Sequence, residues 1–298
     1  MGLTHIRTPK NFVLEERLER YRTAMETHPE AYAGRWAEAC WPLEPSAPAA
    51  EETRTDRAAQ TARDRFAAVH LDLGCGKGAF LVESARRSPA ELHIGMDIEP
   101  ICIAYAAQRI CEEQVPNALV IPRGTAALER IFAAGELAGI TLNFPTPYPK
   151  RHFARRRTTT VDNLLVYRRL LAASGTLTLR TDSQPLRDYT LVQLEAAGYR
   201  IIWSSNDVRR EHPGFPETEY EARLAAQGAA VWGVCATPGD APSKAQIQRG
   251  RDVEQSLVAY LPDDLELLDY VPLGMEAAVM NLINRRRRAR ERAAGGSA

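Results

Sequence analysis

Apolar and polar positions change rhythm several times along the chain, and each change predicts an element. Residues 11–39 alternate charged and apolar positions at helical spacing. Residues 44–64, EPSAPAAEETRTDRAAQTARD, carry few large apolar side chains and predict a linker or a solvated helix. The pattern then tightens. AAVHLDLG is a short apolar strand ending in glycine, AFLVESARR has helical spacing, and ELHIGMD is a second strand ending in an acid. IAYAAQRICEEQ is helical, NALVIPRG a third strand, ALERIFAAG a short helix and GITLNF a fourth strand. VDNLLVYRRLLAASG predicts an amphipathic helix with a Ser-Gly stop, followed by strand TLTLRTD, helix PLRDYTLVQLEAAG and strand YRIIWSS. Strands alternating with helices at this spacing predict a doubly wound, mostly parallel α/β sheet.

The C-terminal part is less regular. Residues 236–252, ATPGDAPSKAQIQRGRD, have the composition of a linker, residues 253–284 hold further structured segments, and RRRRARER at 285–292 is a basic end. The expected organisation is an N-terminal helical segment 1–43, an insertion or linker 44–68, an α/β domain 69–235 and a C-terminal extension 236–298 with a basic tail.

Charge changes this picture only locally. The chain of 298 residues balances 38 Lys and Arg against 38 Asp and Glu, so an anionic partner must be held by clusters, not by a global field. The five cysteines, Cys40, Cys75, Cys102, Cys111 and Cys235, form no CxxC pair, which points to a reduced, cytoplasmic protein without a metal site. No apolar run approaches the roughly 20 residues of a membrane span, and MGLTHIRTPK lacks the apolar core of a signal peptide. The densest cluster lies in LNFPTPYPKRHFARRR, residues 142–157, where three prolines lead into Lys150, Arg151, Arg155, Arg156 and Arg157 with no acid between Asn143 and Val161. Such a run suits an RNA backbone, although it is also what a solvated face looks like. Tyr148 and Phe153 are candidates for stacking on an unpaired base.

The first strand delivers Asp72, then Gly74, Gly76 and Gly78 in DLGCGKG. Glycines there permit a tight turn and close backbone approach to a ligand beside a helix N-terminus. Asp97 ends the second strand, where an acid accepts hydrogen bonds from ribose hydroxyls in both nicotinamide and S-adenosylmethionine enzymes. The glycines alone leave both cofactors open, because Ala79 can complete a G-x-G-x-x-A fingerprint. Asp72, two residues before the first glycine, favours S-adenosylmethionine, whose methionine amino group it can meet. Cys75 inside the loop reads as a small filler, not a nucleophile.

Several stretches in order resemble the bacterial tRNA (guanine-N7)-methyltransferases, which modify the variable-loop guanine at position 46: HPEAYAGRW at 28–36, DLGCGKG at 72–78, LNFPTPYPK at 142–150 with RRR at 155–157, RTD at 180–182 and TEYE at 218–221. The resemblance covers roughly residues 28–232 and implies a Rossmann-like, S-adenosylmethionine-dependent methyltransferase fold with tRNA as partner. It further implies that Asp72, Gly74, Gly76, Gly78, Asp97 and the position of Gly124 serve the cofactor. Lys150, Asp182, Thr218, Glu219, Tyr220 and Glu221 then serve the tRNA substrate, with Arg151, Arg155, Arg156 and Arg157 on RNA phosphates. Asp182 could instead cap the helix starting near Pro185, and TEYE could simply start a helix.

The chain departs from the family where the family carries carboxylates. Thr146 replaces the acid of the N-F-x-D-P-W-P-K signature, Tyr148 replaces its Trp, and Gly124 replaces the acid after the third strand. Guanine N7 has a lone pair and no proton, so alkylation there needs positioning more than a base. A threonine offers one hydroxyl and no charge; losing a charged hydrogen bond costs about 1.5–3 kcal/mol. The expected enzyme is therefore slower or differently tuned, with Thr146 at the catalytic position. The alternatives are a weakened or non-catalytic tRNA-binding paralogue, a methyltransferase for another base or small molecule, and a nicotinamide dehydrogenase.

Overall fold

The computed structural model describes residues 8–39, 66–262, 265, 270–272 and 274–295. Nearly all of the expected insertion 44–68, and Cys40, lie outside them. Seven strands form one sheet in the order β3-β2-β1-β4-β5-β7-β6: β1 Val69–Leu73, β2 Leu92–Met96, β3 Ala118–Ile121, β4 Leu137–Asn143, β5 Leu171–Thr181, β6 Tyr199–Ser205 and β7 Trp232–Pro238. β1 pairs in parallel with β2 and β4, and β2 with β3, while β7 runs antiparallel to both β5 and β6. The chain divides into two compact units: residues 1–143, 169–175 and 216–219, and residues 144–168, 176–215 and 220–298.

In the first unit β1 to β3 are almost wholly buried, as expected of parallel strands covered on both faces. The helix Ala79–Arg87 begins at Gly78 and buries Phe80, Leu81, Val82 and Ala85. The helix Pro100–Glu112 opens on Glu99, whose side chain accepts from the Ile101 N–H, and buries Ile103, Ala106, Ala107 and Ile110 in the same cluster. The N-terminal segment joins that core through Tyr21 and Ala24, and Met25 bridges β3 at Val120. Asn117 ties the cluster's lower end by donating to the carbonyls of Ala85, Ser88 and Glu91. Trp36, within HPEAYAGRW, is fully buried; its indole donates to the Ile131 carbonyl at 2.9 Å, and its ring stacks on Tyr32. Glu136 gathers this corner by accepting from the backbone N–H groups of Gly34, Trp36 and Ala133.

In the second unit the helix Gln184–Ala196 is capped by Ser183, whose hydroxyl accepts from the Leu186 N–H. Its apolar face packs with Leu257, Leu261, Met275 and Val279 of the C-terminal extension. Two expectations change here. The helix expected through residue 175 stops at Leu170, and Leu171 opens the long β5. The linker expected over 236–252 is instead the end of β7 and a helix, Lys244–Asp252, with a full capping box between Ser243 and Gln246. The helix Glu276–Gly295 carries the basic end, and Arg285, Arg287, Arg288 and Arg292 on it are exposed.

Candidate active site

The strand order reverses between β1 and β4, the position where open α/β sheets bind ligands beyond their strand ends. The loop leaving β1 has left-handed backbone at Gly74 (φ +82°), Gly76 (φ +55°) and Gly78 (φ +78°). Beside Gly74 and Gly76 a side chain would meet open space, whereas at Gly78 a Cβ would fall 2.8 Å from the Ala106 methyl. The first two glycines thus leave backbone open to a ligand, and the third lets two helices touch. Asp97 holds this loop: one carboxylate oxygen accepts from the Gly76 N–H at 3.0 Å and the other from the Glu99 N–H at 2.9 Å. Burial raises its pKa, and those backbone donors oppose the rise.

Asp72 is buried at the end of β1, where one oxygen accepts from the Asn143 amide at 3.2 Å. Gly124 is extended (φ −98°), and a Cβ there would sit 2.7 Å from the Ile98 Cγ2. In this chain the exposed Ile98 occupies the room that the stem of an acid at 124 would need. Cys75 is buried against Gly95, and burial pushes its thiol well above the ordinary range, which fits a filler and not a nucleophile. An acid, an open glycine backbone and a second acid at the end of β2 fit S-adenosylmethionine. Glu219 forms an ion pair with Arg109, and Thr218 stands half-buried directly before the helix Glu219–Ala225.

The signature segment belongs to the second unit and is bent sharply. Phe144 (φ +49°) and Tyr148 (φ +44°) are left-handed although neither is glycine, a conformation that persists only where the surroundings enforce it. Phe144 is fixed by its N–H on the Arg180 carbonyl at 2.7 Å and by edge contact with Tyr220. Tyr148 is fixed by Arg157, whose guanidinium donates to the carbonyls of Pro147 (3.0 Å), Tyr148 (2.7 Å) and Gln255 (2.7 Å). Arg157 is fully buried, 4.5 Å above the Tyr189 ring. The expectation that it binds RNA phosphate is therefore corrected: the guanidinium is buried, and its Nε and Nη2 donate to the carbonyls of the loop and of Gln255. Thr146 is exposed at the crest between two prolines, as are Lys150, Arg151, Arg155 and Arg156 beyond it. Phe153 carries the Arg156 guanidinium over its ring at 5.0 Å.

Glu221 is corrected in the same way. It is 2% exposed and forms an ion pair with the equally buried Arg180, so it holds β5 to its own helix and does not face a substrate. Asp182, just past β5, does not cap the helix Gln184–Ala196, since Ser183 does. One oxygen of Asp182 accepts from two phenols, Tyr220 at 3.0 Å and Tyr270 at 2.7 Å. Burial and the Asp182 charge raise the Tyr220 pKa, keeping that phenol a donor. A groove of about 720 Å³ in this unit is lined by Arg151, His152, Arg155, Tyr189, Arg251 and Gln255 among others, with Arg251 paired to Asp162 at 2.6 Å. Sequence reasoning missed Arg251, Gln255 and Tyr270, none of which lies near a motif.

A sheet reversing beside a glycine loop, with an acid ending each of the first two strands, defines a Rossmann-like methyltransferase that uses S-adenosylmethionine. Residues 67–234 match the family described as "Putative methyltransferase". The tRNA (guanine-N(7)-)-methyltransferase of Geobacillus thermodenitrificans is 34% identical over 165 residues, 55% of this chain and 76% of that protein. That of Listeria innocua is 29% identical over 219 residues, 73% of this chain and 92% of the other. The chain belongs to this family of tRNA (guanine-N(7)-)-methyltransferases. A solved structure, of the 16S rRNA methyltransferase KamB, aligns at TM-score 0.48 and 15% identity, covering 67% of this chain and 100% of the other, too distant to inform the substrate. Among the described residues no helix is long and apolar enough to cross a membrane, and no three His, Cys, Asp or Glu gather as a metal site would need.

Proposed function

We propose that the protein methylates N7 of a guanine in tRNA, the guanine at position 46 by resemblance, from S-adenosyl-L-methionine. The observation that carries the reading is the match to relatives of that activity over most of their length. Bound S-adenosylmethionine supplies an electrophilic methyl group. Asp72 would take its amino group, the backbone of Gly74 to Gly78 its methionine part and Asp97 its ribose, with Gly124 and Ile98 beside the adenosine. Because N7 needs no deprotonation, the chain's task is to hold the base in line. Asp182, fixed by two phenols, is the carboxylate suited to accept from guanine N1–H and N2–H2. Thr218, Glu219 and Tyr220 support the tRNA. Lys150, Arg151, Arg155 and Arg156 meet phosphates, Arg151 and Arg155 from the groove they line. Thr146 offers a hydroxyl where relatives offer a charge.

Incubation with S-adenosylmethionine and total tRNA from a strain lacking the modification, followed by nucleoside analysis, tests the proposal. 7-Methylguanosine is the expected product, and its absence with cofactor binding intact overturns the reading. Thr146 and Gly124 favour one second reading, a tRNA-binding paralogue without methylation. Calorimetry separates the two, because failure to bind S-adenosylmethionine would favour the paralogue.

A further inference from the structure

The family match ends at residue 234, yet the extension beyond it grips the signature segment and Asp182, the carboxylate assigned to the substrate. The Leu257 N–H donates to the Pro149 carbonyl at 3.0 Å, and the Gln255 carbonyl receives Arg157. The Met275 sulfur accepts from the Ser183 hydroxyl at 3.2 Å, next to Asp182. Tyr270 donates to Asp182 at 2.7 Å across 88 residues of chain. A brace for the fold alone would need only the apolar contacts to the helix Gln184–Ala196. A phenol on the oxygen that Tyr220 also holds does something further: two donors converging on one oxygen fix the plane and rotamer of a carboxylate.

We propose that Tyr270 is a positioning residue for Asp182 in tRNA recognition, which makes the extension a working part of the substrate half. The inference rests on the proposed function for its substrate. Its test is a double-mutant cycle of Tyr270→Phe and Asp182→Ala in the full chain, measuring kcat and KM for unmodified tRNA, KM for S-adenosylmethionine, and the Kd of tRNA. Tyr270→Phe keeps the ring and is expected to lower kcat/KM for tRNA by about tenfold with KM for S-adenosylmethionine unchanged. In the Asp182→Ala background the same change is expected to have almost no further effect. Equal losses in both backgrounds, or none in either, overturn the proposal. Tyr220→Phe in the same cycle removes the other phenol and gives a second reading if Tyr270→Phe folds poorly. If the wild-type chain produces no 7-methylguanosine, the functional reading fails, and the cycle on tRNA Kd still decides the role of Tyr270.

Discussion

Replacing Arg157 by methionine separates a buried staple from an RNA contact. The substitution keeps an apolar stem of similar length and removes donors from the carbonyls of Pro147, Tyr148 and Gln255. Each buried acceptor left unmet costs about 1–3 kcal/mol, and bonds to a charged donor lie at the upper end. Relief of the cation's own burial, which lowers its pKa, offsets part of that loss. The left-handed Tyr148 already carries strain of about 1–3 kcal/mol in the native protein, and its release once Arg157 is gone offsets a further part. A net loss of about 3 kcal/mol is expected in urea unfolding, with a fall in kcat for tRNA. Arg157→Lys is expected to rescue little, because an ammonium cannot reproduce a planar fork across three carbonyls. Arg155→Ala should behave oppositely: stability within about 0.5 kcal/mol of wild type, and the slope of log K for tRNA against log salt smaller by about one. If Arg157→Met leaves stability unchanged and lowers that slope instead, the guanidinium faces RNA and the argument fails.

Thr146→Asp is expected to raise kcat on tRNA by tenfold or more with S-adenosylmethionine affinity unchanged; an unchanged rate would mean that the reaction does not use a carboxylate there. His93 is buried, stacks on His70 at 5.0 Å, and burial reinforced by the His70 charge lowers its pKa to about 3. The unfolded chain then binds the extra proton, so stability is full above pH 6.5 and falls by up to about 1.4 kcal/mol per unit below it; urea midpoints at pH 7 and pH 5 should converge in His93→Leu, and parallel shifts would refute the assignment. Ending the chain after Asn284 removes the exposed arginines Arg285, Arg287, Arg288 and Arg292. It should lower the salt slope of tRNA binding while thermal unfolding stays within a few degrees, and an unchanged slope would show the basic helix to be solvated surface only.

What the sequence made legible follows from how local each signal is. The helix Ala79–Arg87 and strands β1 to β4 announce themselves by apolar spacing bounded by glycine or an acid, and they form close to where that spacing puts them. The four residues after Leu170 suit a helix as well as a strand, and sheet pairing claims them for β5. β7 was missed because its alternation is broken by Gly233, which is required there since a Cβ would fall 2.4 Å from Val208. The helix Lys244–Asp252 did carry a local signal, the Ser-x-x-Gln of its capping box, but the prolines and glycines around it dominated the composition. Arg157 and Tyr270 were illegible for a different reason. Nothing within a run of arginines distinguishes the one whose partner is 98 residues away, and nothing in DLELLDYVP points to Asp182.

That non-local support bears on the missing carboxylate. The Thr146 side chain is exposed and makes no hydrogen bond to any described residue, so the bend of the signature segment does not depend on residue 146. It depends on Arg157 gripping the two carbonyls beyond it, on Leu257 holding Pro149, and on Arg180 receiving Phe144. In the proposed site, chemistry and architecture are thus carried by different side chains within one loop. A side chain can change at the crest without collapse of the bend in the signature segment. The same separation makes residue 146 a clean place to vary charge, because a change in rate there reports on the reaction and not on the shape of the loop.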